Sequence, residues 1–153
     1  MKNLITSVFI LNVFAVRPAC AQEDSKPNII YIMADEFGYY QPGFMGSKVV
    51  KTPNLDRMAN GGMIFRNMLA GNASCAPTRC SLMTGKHPGH AAIRSNQDHS
   101  IRAEEVTIAE VLKQKGYATG GFGKWGIGAR GSEGVPERNG FDLFFGYYGI
   151  ELE

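Results

Sequence analysis

Pro27-Asn28-Ile29-Ile30-Tyr31-Ile32-Met33-Ala34, closing on Asp35-Glu36, is the stretch on which the reading of the fold turns. Its apolar, β-branched residues follow one another without polar alternation. A strand of that pattern is covered on both faces, as strands of a parallel sheet are. Toward the C-terminus, Gly38 to Gly46 is rich in glycine and aromatic residues and reads as loop. Thr52-Pro53 offers an N-cap with proline at the first helical position, opening a helix through Ala59 that stops at Gly61-Gly62. Met63 through Leu69 is a candidate second strand. Pro77 predicts the start of a helix carrying Arg79 to Met83, with Cys75 at or just before its N-terminus. Thr107-Ile108-Ala109-Glu110 fits a capping box, with Ile108, Val111 and Leu112 on one apolar face and Gly116 as the stop. Tyr117 to Phe122 is a third strand candidate and Gly128 to Gly140 a loop; Phe141 to Tyr148 is an aromatic run to which no element is assigned.

Strand, helix, strand, helix, helix, strand is the order of an α/β domain with a mostly parallel central sheet flanked by helices. Ligands of such sheets lie beyond the carboxyl ends of the strands. Asp35-Glu36, Cys75 and Lys124 each follow an expected strand end or a strand-to-helix turn. The topology would therefore gather them at one edge.

Composition narrows the classes. The chain is 44% hydrophobic and 20% charged, ordinary for a globular protein. A net charge of +2 with no basic run argues against nucleic acid or an anionic membrane surface as a partner. Lys2, the apolar stretch from Leu4 to Val16 and the small-x-small site Ala19-Cys20-Ala21 read as a secretory signal peptide over residues 1–21. It is too short to span a membrane, and cleavage after Ala21 implies a secreted or periplasmic protein. A lipoprotein reading of Cys20 is weaker, because Arg17-Pro18 occupies the place of an apolar lipobox. An oxidising compartment would permit a Cys75–Cys80 bridge. Side chains five residues apart on a helix diverge, however, and Cys80 reads more simply as a small buried apolar residue.

The chemistry is concentrated in Cys75-Ala76-Pro77-Thr78-Arg79, continuing Cys80-Ser81-Leu82-Met83-Thr84-Gly85. Taken singly, the candidate residues are weak signals. Paired acids such as Asp35-Glu36 are most often solvated or cap the next helix, a lone arginine is most often on the surface, and Lys124 could lie along Trp125. The joint pattern is stronger. Pro27 to Asp35, Thr52-Pro53-Asn54-Leu55-Asp56-Arg57, the Cys75 run, Val106 to Leu112, Gly116-Tyr117-Ala118-Thr119, Gly123-Lys124-Trp125 and Gly140-Phe141-Asp142 occur in this order. Together they resemble the N-terminal region of the type I sulfatases, from about Pro27 to Tyr148.

That resemblance implies an alkaline-phosphatase-like fold, with residues 22–153 as the N-terminal part of a truncated catalytic domain. It implies a sulfuric-ester hydrolase whose nucleophile is made after translation. A formylglycine-generating enzyme reads Cys-x-Pro-x-Arg in the unfolded chain and oxidises Cys75 to formylglycine. The hydrated aldehyde then attacks sulfur, expels the alcohol and reforms as sulfate leaves. By position, Asp35 matches a calcium ligand, residue 75 also reaches the metal, Arg79 contacts the formylglycine, and Lys124 matches a sulfate-binding cation. Glu36 stands where the family usually has a second aspartate, and is retained as a metal ligand. Gly126 stands where many members carry histidine. Of His87, His90 and His99, for which surface or packing roles are the commoner outcome, His90 is placed at the substrate mouth.

The implied substrate is a small sulfate ester or a sulfated glycan. A phosphonate or phosphate ester hydrolase of the same superfamily is the alternative, as is a non-catalytic truncated product. An exported thiol-redox protein has little support, since no Cys-x-x-Cys occurs. Complete sulfatases are several times longer and hold their other calcium ligands, a further lysine and a histidine in the additional length. The resemblance thus implies that this chain by itself turns over no ester at a useful rate.

Overall fold

The computed structural model describes residues 26–98 and 100–149. The signal peptide expected over residues 1–21, and His99, lie outside the described residues. The chain divides into two units after Ala34. In the first, residues 27–34 form no strand, contrary to expectation, and Ile29, Ile30, Tyr31 and Ile32 are exposed. A parallel strand is held by ladder partners on its flanks, and the described residues supply none to this segment.

The second unit begins with a short 3-10 turn, Gly43–Met45, tied to helix α1, Pro53–Gly61. Proline opens α1 as expected, but the expected cap does not form. The Thr52 hydroxyl donates instead to Asp56 Oδ1 at 2.9 Å and accepts the Gly43 N–H at 2.7 Å. Asp56 also accepts the Phe44 N–H, so its carboxylate joins turn and helix. A Cβ on Gly43 would fall 2.3 Å from that carboxylate, so only glycine fits. Residues 63–69 form no strand either. Met63, Phe65, Met68 and Leu69 are exposed without a ladder partner among the described residues.

Helix α2, Cys75–Thr84, starts two residues before Pro77, so Cys75 is its first residue. Pro77 then occupies the first turn, where a missing N–H leaves no bond unmade. Gly85, left-handed at φ 66°, ends the helix. Helix α3, Ile108–Gln114, carries the expected capping box. Thr107 Oγ1 accepts the Glu110 N–H and the Glu110 carboxylate accepts the Thr107 N–H. Its apolar face differs from the expected one, because Ile108 and Val111 are exposed and Ala109 alone is buried. Gly140 approaches the helix at Ala109 and Glu110, where an added Cβ would lie 2.4 Å from the Glu110 nitrogen.

Strand β1, Gly120–Lys124, begins three residues later than its sequence suggests and pairs in parallel with β2, Leu143–Tyr147. The unassigned aromatic run therefore supplies the second strand. Helices around a parallel pair make this an α/β architecture. Behind it, Ala76 and Cys80 of α2 pack with Ala91, Ile93, Ile101, Trp125 and Ile127. Phe141 and Phe144 meet the Trp125 ring edge-on at 5.5 and 6.2 Å between centroids. Trp125 Nε1 donates to the Gly134 carbonyl at 2.7 Å, leaving the indole fully partnered in the core.

Candidate active site

Lys124 is the last residue of β1, and Cys75 is the first of α2, with Arg79 one helical turn further on. That spacing puts Cys75 and Arg79 on one side of the helix. The packing of Ala76 and Cys80 under Trp125 then fixes the helix start against the strand end.

Arg79 is 8% exposed and reaches in two directions. Its Nη1 donates to the Lys124 carbonyl, and its Nη2 lies 3.5 Å from Asp35 Oδ2. Its Nε–H is buried with no partner. Lys124 Nζ donates to the same Asp35 oxygen at 2.9 Å. The hydrogen bond from Lys124 is the main reason the Asp35 carboxyl titrates below its usual range. Reciprocally, the Lys124 ammonium is held above its usual range, first by Asp35 and with a further contribution from nearby Cys75. Asp35 and Lys124 are therefore both ionised at neutral pH. Two cations face one carboxylate, and the surplus positive charge sits beside Cys75 at a helix N-terminus. Such a place stabilises negative charge on residue 75 or on an anion bound next to it.

The structure thus brings together Asp35, Cys75, Arg79 and Lys124. The bland readings of two of them fail: Arg79 is buried, and Lys124 reaches Asp35 instead of lying along Trp125. Cys75 and Cys80 are both free thiols, with Cys80 fully buried as a core residue. Glu36 is exposed and has a left-handed backbone, φ 53°. No described contact joins it to the cluster. His90 is exposed and faces His87, with ring centroids 6.3 Å apart. No described contact links His90 to the cluster either.

Two neighbours were not among the residues expected at the site. Asn96 places Oδ1 3.5 Å from Cys75 Sγ and accepts the Ala76 N–H at 3.2 Å. Gly126, left-handed at φ 73°, gives Arg79 its room, since a Cβ there would lie 3.2 Å from Arg79 Cδ. The sequence marked Gly126 as a departure from a family pattern. For Asn96 it held no signal beyond closeness in the chain.

A family model described as sulfatase matches residues 27–152. Steryl-sulfatase of Homo sapiens is 35% identical over 137 residues, covering 80% of this chain and 24% of that protein. Among solved structures, Ps i-CgsB is 33% identical with a TM-score of 0.72, over 77% of this chain and 27% of that one. BT4656, solved in complex with its substrate D-glucosamine-2-N,6-O-disulfate, is 33% identical with a TM-score of 0.66, over 77% of this chain and 22% of that one. The chain spans about a quarter of the length of the curated relatives it matches.

Proposed function

The chain belongs to the sulfatase family, and from that premise we propose that Asp35, Cys75, Arg79 and Lys124 form the nucleophile side of a site for sulfuric-ester hydrolysis. The observation that carries this reading is the convergence of Lys124 and Arg79 on Asp35 beside the first residue of α2. Formylglycine made from Cys75 would supply a hydrated aldehyde whose hydroxyl attacks sulfur where water would be too poor a nucleophile. Lys124 holds positive charge next to residue 75 and is itself held in place by Asp35. Arg79 braces the strand end through the Lys124 carbonyl and shares the Asp35 carboxylate. These two cations beside the start of α2 suit a tetrahedral oxyanion. The substrate in this reading is a small sulfate ester or sulfated glycan. Maturation needs a formylglycine-generating enzyme, in keeping with export of the protein.

Calcium fits less well. The ion takes roughly six to eight oxygen ligands. Asp35 brings one carboxylate to the cluster, and two cations already compensate it. Among the described residues, no group of three histidine, cysteine or acidic side chains could hold a metal. The residues present therefore do not make a calcium site by themselves, and the roles given to Lys124 and Arg79 need none.

The test uses the product of the complete reading frame containing this chain, co-produced with a formylglycine-generating enzyme. Aryl sulfate and aryl phosphonate hydrolysis are measured in parallel. The expected result is faster turnover of the sulfate, abolished in Cys75→Ala and lowered about 100-fold or more in Lys124→Met. Faster turnover of the phosphonate would select the phosphonate hydrolase reading. Equal rates with and without Cys75 would overturn both.

A further inference from the structure

Asn96 contributes an oxygen where the helix cap would otherwise be missing. Ser74 occupies the N-cap position of α2, yet its side chain caps nothing. The Ala76 N–H, one of the amides left without a helical partner, goes instead to Asn96 Oδ1 at 3.2 Å, across 20 residues of chain. A backbone N–H can only donate, so the carboxamide atom facing it is the oxygen. The same oxygen lies 3.5 Å from Cys75 Sγ, which therefore donates its S–H. One acceptor thus serves both the helix start and the side chain of residue 75.

The loop that presents Asn96 is built to hold it. Asp98 Oδ2 accepts the N–H groups of Arg94 and Ser95 at 2.8 and 3.0 Å. The Arg94 guanidinium donates to the Gly89 and Ala91 carbonyls. Ala91 and Ile93 anchor the segment in the core under α2. The carboxamide is thereby fixed relative to residue 75, although Asn96 itself is exposed.

We propose that Asn96 is a positioning residue for the nucleophile precursor: its carboxamide oxygen, shared by the Ala76 N–H and the side chain of residue 75, holds that side chain in one rotamer beside Lys124. The inference rests on Cys75 being that precursor. An acceptor at this place takes any S–H or O–H that residue 75 carries, and so directs the group without reacting itself.

The test is the pair of Hα–Hβ couplings of Cys75, measured by NMR on the full chain. Two clearly unequal couplings, meaning one rotamer, are expected in the wild type. Asn96→Ala should lose that inequality by averaging, and Asn96→Asp should restore it, because a carboxylate oxygen still accepts. Thr78→Ala provides the structural comparison. Its hydroxyl binds the Asn72 carbonyl at 2.6 Å, so its loss loosens the same helical turn without touching residue 75. It should lower the melting temperature and leave the couplings unequal. Unequal couplings retained in Asn96→Ala, or averaging as complete in Thr78→Ala, would overturn the proposal. Should Asn96→Ala fail to fold, Asn96→Gln shifts the oxygen by one methylene and carries the same expectation. Conversion of Cys75 to formylglycine is scored separately by mass on the wild type. Its absence would count against the sulfatase chemistry and not against the rotamer result.

Discussion

Gly126 follows Trp125 with φ 73°, and the space its missing side chain leaves is taken by Arg79. Alanine there would meet two costs at once. The left-handed backbone disfavours a Cβ by about 1–2 kcal/mol, and the Cβ would press on Arg79 Cδ at 3.2 Å. Gly126→Ala should therefore lower the unfolding free energy in urea by about 2 kcal/mol. A change of a few tenths would contradict the crowding described here. Any larger side chain at this position would press on Arg79 in the same way. The glycine at residue 126 and the placement of Arg79 are thus one arrangement. Among single residues, Cys75, Pro77 and Arg79 were legible because their spacing is read along the chain. Asn96 was not, because its contacts depend on how a loop folds back over α2.

At the scale of elements, the capping of α3 was legible, while the capping of α1 and the pairing of strands were not. The Thr107–Glu110 box was readable because all its bonds lie within four residues. Thr107 is also fully buried and donates to the Asn139 carbonyl at 2.8 Å, which no local pattern shows. Thr107→Ala should cost about 2 kcal/mol through the lost cap and the orphaned carbonyl. Thr107→Ser, which keeps the hydroxyl, should cost about half as much. Equal losses in urea unfolding would show that the hydroxyl is not the cause.

Asp142 ties α3 to the start of β2 by an ion pair with Lys113 at 2.5 Å, and accepts bonds from Thr119. Lys113 chiefly, then Thr119, lowers the Asp142 carboxyl from 3.8 to about 2. A depressed carboxyl contributes fully above its unfolded value and fades as pH falls through its folded one. The stability gap between wild type and Asp142→Asn should be constant above roughly pH 4 and close toward pH 2. A gap independent of pH would contradict it.

At the scale of the molecule, the α/β class was readable from the order of apolar runs and helix signals, whereas of Asp35, Cys75 and Lys124, which do gather, only Lys124 stands at a strand end. The strands expected over residues 27–34 and 63–69 were not found. Their apolar character was read correctly, but a strand also needs a partner, and hydrophobicity alone does not name one. In the second of these segments Met63, Phe65 and Met68 instead line an open apolar cavity of about 560 Å³ with Met58, Tyr39 and Phe44. The aromatic run that did become β2 was passed over for the same reason. Its parallel alignment with β1 is a long-range fact.

The central claim, that residue 75 is the site of a sulfatase nucleophile, is tested most directly by mass. The chain is co-produced with a formylglycine-generating enzyme, and the peptide containing residue 75 is measured before and after treatment with an aldehyde-specific hydrazide. The account predicts replacement of the Cys75 CH2SH by an aldehyde that the hydrazide captures, lost in Cys75→Ala. A peptide that keeps its unmodified thiol, under conditions where a control sulfatase is converted, would contradict it.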